Sequence, residues 1–311
     1  MGPLSVGPVS VGPLSVGSGV RRTDPVQRVV TALSSSVRAV RGPVPRAGDV
    51  VVLDFADLFA RRPTEHDAET YPGAGKASAE PKAEPKGAAA PVDADELAET
   101  LLSGWWTSAT RIGTLESHAD RRRRPAHQPE TQNSTSQSAA LSAALGSSAY
   151  FRGSPELAGA EARALSRYLT DLKLRHEVRD RTQAAILPDT KVVVGHGIGA
   201  LIAYEALCAL SDAVSVAFVS LGAAMCGPEP VFARLEPAPR NEQGHWPAAI
   251  RRWSNVVAHT DPTAMIAPQL TERFGPGIED EVIEIKSSCG DLQPYLLDRA
   301  TGRALATGLA V

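Results

Sequence analysis

A glycine-rich turn between an apolar run and a helix-forming segment constrains the fold of this chain more than any other feature. Residues 191–207 read KVVVGHGIGALIAYEAL. Residues 192–194 form a short β-branched stretch of the kind found in buried parallel strands, whereas residues 200–210 favour a helix. Because parallel strands are joined by crossover connections that are usually helical, this strand–turn–helix unit predicts an α/β fold.

The turn fits a variant of the dinucleotide-binding fingerprint. Gly195, Gly197 and Ala200 match G-x-G-x-x-A, which places a pyrophosphate at a helix N-terminus. That fingerprint requires an acidic residue about 20 positions later. No Asp or Glu closes the next predicted strand, at residues 214–221. Glycine turns that bind nothing are also common in α/β proteins, so nucleotide binding is one alternative among several.

The chain begins with a pentad repeat, GPLSV, GPVSV and GPLSV, over residues 2–16. Regularly spaced proline and glycine oppose both a helix and a central strand. The basic pair Arg21 and Arg22 follows the apolar positions rather than preceding them, which is unlike a secretory signal peptide. We therefore predict that residues 1–24 form a disordered tail.

Residues 25–60 and 61–135 differ in composition. Apolar residues recur at helical spacing over 25–40, and DVVVLDF at 49–55 predicts a strand, so residues 25–60 should hold the first helix and strand of the core. Residues 61–135 contain two AEPK repeats and four consecutive arginines. They should form a mostly disordered insertion, because they bury too little apolar surface to offset their ordering entropy. A helix is expected within it near residues 93–106.

We predict a continuously folded core over residues 136–311. Helices are expected at 138–145, 155–174, 174–186 and 293–309, and further strands at 253–258 and 281–286. The alternation of strands and helices predicts an α/β fold with a mostly parallel sheet and helices on both faces.

Composition narrows the classes of function. The chain has 311 residues, 43% of them hydrophobic, and a formal charge of −3, which suits one sizeable domain and gives no basic footprint for nucleic acid. Three widely spaced cysteines, Cys208, Cys226 and Cys289, fit neither a disulfide framework nor a zinc pattern. No apolar run approaches the roughly 18 residues that span a bilayer. We expect a cytoplasmic protein with no metal and no cofactor.

Four motifs, in order along the chain, resemble the α/β-hydrolase superfamily, in particular its bacterial lipase- and esterase-like group. They are VVVGHGIGALIAYEAL, SLGAAMCGPEP, WPAAIRRWSNVVAHTDPTAMI and DLQPYLLDRATGRAL. In such relatives the first motif is a nucleophile elbow, G-x-S-x-G, which holds a serine on a sharp strand-to-helix turn. Gly195 and Gly199 match its flanking glycines, whereas Gly197 stands at the serine position.

The resemblance implies a catalytic triad in the chain order Ser, Asp, His. These roles map onto Gly197, Asp261 and Gly290, so that only the acid remains, as a vestigial group. Glycine offers neither a nucleophile nor a base, and loss of either group costs roughly a millionfold in rate. No histidine follows His259, and the pentad repeat stands where the relatives carry their first strand and its oxyanion loop.

These losses predict a catalytically degenerate α/β-hydrolase homologue, a pseudoenzyme. Its cleft would hold an acyl or small hydrophobic ligand, or a partner protein. The alternative is an active, serine-independent hydrolase in which His259 or His196 works with Asp261. The residues expected to line the pocket are Gly195, His196, Gly199 and His259.

Overall fold

A computed structural model describes residues 5–11, 25–61, 92–116, 134–151, 154–211, 214–226, 229–264, 270–285 and 292–310. Within these ranges the chain forms an α/β fold built on one parallel sheet, and the order of the six strands is β2-β1-β3-β4-β5-β6. The strands are β1 (Ser5–Val11), β2 (Val50–Asp54), β3 (Thr190–His196), β4 (Val216–Leu221), β5 (Ile250–Ala258) and β6 (Ile278–Ile283).

The helices in these ranges mostly follow the apolar periodicity of the sequence. No helix of the described chain is both long and apolar enough to cross a membrane. The helices are α1 (Pro25–Ala39), α2 (Ala56–Ala60), α3 (Ala94–Glu116), α4 (Ser134–Leu145), α5 (Pro155–Thr170), α6 (Leu172–Ala184), α7 (Ile198–Cys208), α8 (Glu229–Phe232), α9 (Leu270–Phe274), α10 (Leu292–Leu297) and α11 (Arg299–Leu309).

Hydrophobic clusters cover both faces of the sheet. Side chains alternate along a strand, so Val192 and Val194 of β3 pack with α1, α10 and α11, whereas Val193 faces the other way. There it joins a larger cluster formed with α3, α5, α6 and α7. The predicted parallel sheet with helices on both faces is therefore confirmed.

The first strand corrects an expectation. We expected residues 1–24 to be disordered, but Ser5–Val11 forms a central strand that pairs with β2 on one side and β3 on the other. The pairing register shifts between Val6 and Val9, where Gly7 and Pro8 lie. A proline lacks the N–H that a ladder needs and is tolerated at such an irregularity. Residues 1–4 and 12–24 lie outside the described ranges.

The long insertion is also more structured than its composition indicates. The helix expected near residues 93–106 continues to Glu116, since Ala109 and Ile112 extend the buried stripe that Leu101 and Trp105 begin. Residues 62–91 and 117–133 of the predicted insertion lie outside the described ranges. At the other end, the single helix expected at 293–309 is divided into α10 and α11 by Asp298, which caps α11 by accepting from the Ala300 N–H.

A buried ion pair fixes α7 to α6. The Glu205 carboxylate pairs with Arg175 and accepts hydrogen bonds from the Tyr168 hydroxyl at 2.8 Å and the Glu236 N–H at 3.0 Å. The side chains of Arg175 and Glu205 are almost fully buried. Because α7 begins at the glycine turn, this network holds the helix that defines one side of that turn.

Successive strands are added on opposite sides of β1, since β2 lies on one side of it and β3 on the other. The helix that follows β1, α1, covers one face of the sheet, and the helix that follows β3, α7, covers the other. The carboxyl ends of the neighbouring strands β1 and β3 therefore form a topological switch point, the place where open α/β sheets bind ligands.

Candidate functional site at the carboxyl edge of the sheet

The turn after β3 has the close packing that an elbow requires. A Cβ atom added to Gly195 would lie 2.5 Å from the Cα atom of Ala200 and 2.7 Å from the carbonyl oxygen of Gly199. Contacts this short with backbone atoms exclude any side chain at position 195. The small residues on both sides of the turn are thus explained by the close approach of β3 and α7.

Gly197 occupies the tip of this turn with φ 55° and ψ −123°. The positive φ favours glycine over any residue with a side chain. Its N–H donates to the carbonyl of Leu221 at the end of β4, at 3.0 Å. Apart from Gly197 itself and its two chain neighbours, no heavy atom of the described residues lies within 4 Å of the position that a Cβ atom would take. A side chain at position 197 would therefore project into open space.

Asp261 is completely buried in the loop after β5. Its Oδ1 accepts from the N–H of Thr263 at 2.9 Å and the hydroxyl of Thr263 at 2.7 Å, and its Oδ2 accepts from the Tyr295 hydroxyl at 2.8 Å. Burial raises the pKa of Asp261 despite these hydrogen bonds. Its own loop and α10 hold the acid in place, and no histidine of the described chain hydrogen-bonds to it.

The tyrosine of α10 connects the acid to His196. Its ring centroid lies 5.2 Å from that of His196, and its hydroxyl oxygen accepts from the Ala258 N–H at 3.1 Å. His196 is 7% exposed, and its Nε2 has no hydrogen-bond partner within the described residues. Burial lowers the pKa of His196 to about 4, so the imidazole is neutral at pH 7.

His259 is the other histidine that the sequence suggested as a base. Its Nδ1 is 3.3 Å from the carbonyl oxygen of Ile283 at the end of β6, whereas Asp261 accepts from Tyr295 of α10. Among the described residues the structure gives no hydrogen bond between His259 and Asp261. Gly290, expected at the base position, lies outside the described residues.

A further carboxylate, which sequence reasoning missed, joins this edge. Glu161 lies on α5, three residues after the buried Ala158 and four before the buried Leu165. Burial and the charge of Asp261 raise the pKa of Glu161 to about 8. Its side chain is partly exposed, at the border of the buried face of α5.

The charge of Asp261 acts on two tyrosines as well. It contributes, after burial, to raising the pKa of both Tyr150 and Tyr295. The direct contact that the structure gives among these side chains is the hydrogen bond from the Tyr295 hydroxyl to the Oδ2 of Asp261, at 2.8 Å.

Comparison with protein-family models, curated proteins and solved structures finds no match to this chain. Within the described ranges, no group of three or more His, Cys, Asp or Glu side chains is arranged to hold a metal ion. The chemistry of the edge must therefore be inferred from its own geometry. The elbow presents a glycine, the acid is already hydrogen-bonded, and the nearby histidine is neutral and unpaired.

Proposed function

We propose that this chain is a non-catalytic homologue of the α/β-hydrolases that binds a small ligand beside its elbow. The observation that carries the proposal is the backbone conformation of Gly197 together with the space beside it. It adopts a backbone conformation with positive φ at the end of a central strand and faces open space where a side chain would project. The turn keeps the shape of a nucleophile elbow and lacks the group that would react.

The topology supports a ligand at this place. Gly197 lies at the switch point formed by the carboxyl ends of β1 and β3. Ile198, the first residue of α7, is only partly buried and offers an apolar contact beside the turn. His196 adds one unpaired polar atom. An apolar surface with few polar groups is the usual lining of a small-molecule site.

The hydrogen bonds of Asp261 favour binding over catalysis. An acid that orients a catalytic base must receive a hydrogen bond from that base. In the part of the chain that the structure describes, the side-chain donors to Asp261 are the hydroxyls of Thr263 and Tyr295, and no histidine is among them. The alternative hydrolase, in which His259 or His196 works with Asp261, has no such contact to support it.

Nucleotide binding is also less well supported than a neutral or cationic ligand. The carboxyl end of β4 is followed by Gly222, with no acidic side chain to bind a ribose. A Cβ atom at Gly222 would lie 2.8 Å from the Oδ2 of Asp261, so the acid stands directly beside that strand end. A pyrophosphate at this edge would lie beside Asp261, whose ionised form would repel it.

Ligand binding can be tested by blocking the open space at the elbow. We expect n-hexanol, titrated into isotopically labelled protein, to shift amide NMR signals around residues 196–199. The variant Gly197→Leu should abolish these shifts, because its side chain fills the space that the ligand would use.

The matched control is Gly275→Leu. Gly275 has φ 102° and also has no heavy atom within 4 Å of its Cβ position, so both variants carry comparable backbone strain of about 1–3 kcal/mol. Binding should persist in the control. Shifts that survive in Gly197→Leu, or their absence from the wild type, would show that the elbow is not a ligand site.

A further inference from the structure

The pentad repeat carries the sequence of a central strand twice. The strand β1 (Ser5–Val11) reads SVGPVSV, and residues 10–16 read SVGPLSV. The two segments differ at one position, where the first has Val9 and the second has Leu14. Because the segments overlap at residues 10–11, only one of them can occupy the place of β1 at a time.

The irregular pairing of β1 lies at a position that the repeat reproduces. The register with β2 and β3 shifts between Val6 and Val9, where Gly7 and Pro8 lie. A proline is tolerated at such an irregularity but not within the regular ladder of a central strand, because it has no N–H to donate. A shift of the chain by one pentad brings the glycine and proline of residues 12–13 to the same place. A smaller shift would put a proline into the ladder.

The two alternatives differ little in the energies that set the register. Valine favours a strand more than leucine does, which supports the first segment. The connection to α1 is shorter for the second segment, residues 17–24 instead of 12–24, and closing a shorter connection costs less entropy. Residues 17–24 are long enough, because strand–helix connections in α/β units usually take about 2–6 residues. These small effects oppose each other, so neither register is strongly preferred.

We propose that this central strand exists in two registers, formed by residues 5–11 or by residues 10–16. Val9 pairs with Val52 of β2 and Val194 of β3, and Leu14 takes its place in the second register. The change of register alters the length of the connection that leaves the sheet at the switch point. It is a conformational device of the fold and does not depend on the proposed function.

Two matched proline variants test whether the segments replace each other. Val9→Pro disrupts only the first segment and Leu14→Pro only the second, because each residue belongs to one of them. Proline removes an N–H and fixes φ, so either change blocks its own register and leaves the other intact. We expect both single variants to keep a cooperative thermal unfolding transition and the double variant to lose it.

The control is Leu4→Pro, at the equivalent position of the first pentad, which belongs to neither segment. It should leave the transition unchanged, both alone and combined with either single variant. Loss of the transition in Val9→Pro or Leu14→Pro alone, or its retention in the double variant, overturns the proposal.

Amide NMR detects the two registers in the wild type. Val52 and Val194 pair with Val9 in one register and with Leu14 in the other, so each should give two amide signals. Exchange requires opening of a central strand, which is slow enough to keep the signals separate. Val9→Pro should keep one signal of each pair and Leu14→Pro the other. A single signal for each valine in the wild type overturns the exchange.

Discussion

At the scale of single residues, the contact between Tyr295 and Asp261 joins two buried parts of the chain. The Tyr295 hydroxyl donates to the carboxylate and accepts from the Ala258 N–H, so one side chain satisfies two buried groups. Asp261 therefore holds the loop after β5 against α10.

The variant Tyr295→Phe tests this structural role. Without the hydroxyl, the Oδ2 of Asp261 and the Ala258 N–H are both left unpaired in a buried region, which should lower the free energy of unfolding by about 1–3 kcal/mol. Urea denaturation followed by circular dichroism gives this value. Tyr204→Phe is the control, because the Tyr204 hydroxyl donates to a backbone carbonyl, that of His245 at 2.9 Å, and not to a carboxylate. A loss in Tyr295→Phe no larger than in the control would mean that the contact with Asp261 contributes little.

Sequence patterns identified some of these residues and missed others. Gly195, Gly197 and Asp261 could be found because a turn motif and its spacing depend on neighbours along the chain. Glu161 is 100 positions before Asp261 in the sequence, so no local pattern relates it to Asp261, whose charge contributes to raising its pKa. Tyr295, which hydrogen-bonds to Asp261, is also distant from it in the sequence and was missed. The resemblance directed attention to a histidine position shortly before Tyr295 instead.

At the scale of secondary-structure elements, local periodicity predicted most helices and strands. The strand–turn–helix unit around Gly197 is present as β3 and α7, and α1 and β2 occur where apolar spacing indicated them. The main error was β1. Its glycine and proline content opposes a strand when the segment is considered alone, whereas pairing with β2 and β3 on both sides favours it.

The importance of β1 can be tested by deletion. Because β1 pairs with both β2 and β3, removal of residues 1–11 exposes two strand edges in the middle of the sheet. We expect this variant to lose its cooperative unfolding transition, as measured by thermal denaturation. The control lacks only residues 1–4, which precede the strand, and should unfold as the full chain does. A cooperative transition at an unchanged midpoint after deletion of residues 1–11 would mean that the strand is dispensable.

At the scale of the whole molecule, the sheet order places the glycine turn after β3 where a ligand site is expected. The order β2-β1-β3-β4-β5-β6 makes β1 and β3 neighbours whose following helices lie on opposite faces. This order could not be read from the sequence, because the pattern of alternating strands and helices is the same for many sheet orders. The resemblance to hydrolases supplied the roles of Gly197 and Asp261, and the fold supplies their spatial relation.

The central claim is that this fold keeps the elbow and has lost its chemistry. Its most direct test is the hydrolysis of p-nitrophenyl butyrate by the wild type, Gly197→Ser and Gly275→Ser, the last being a control for serine at another glycine with positive φ. All three should hydrolyse the ester no faster than buffer. The wild type has no elbow nucleophile, and in Gly197→Ser the new hydroxyl finds no base on Asp261. Turnover by the wild type that disappears in Asp261→Asn, or marked turnover by Gly197→Ser alone, would contradict this account.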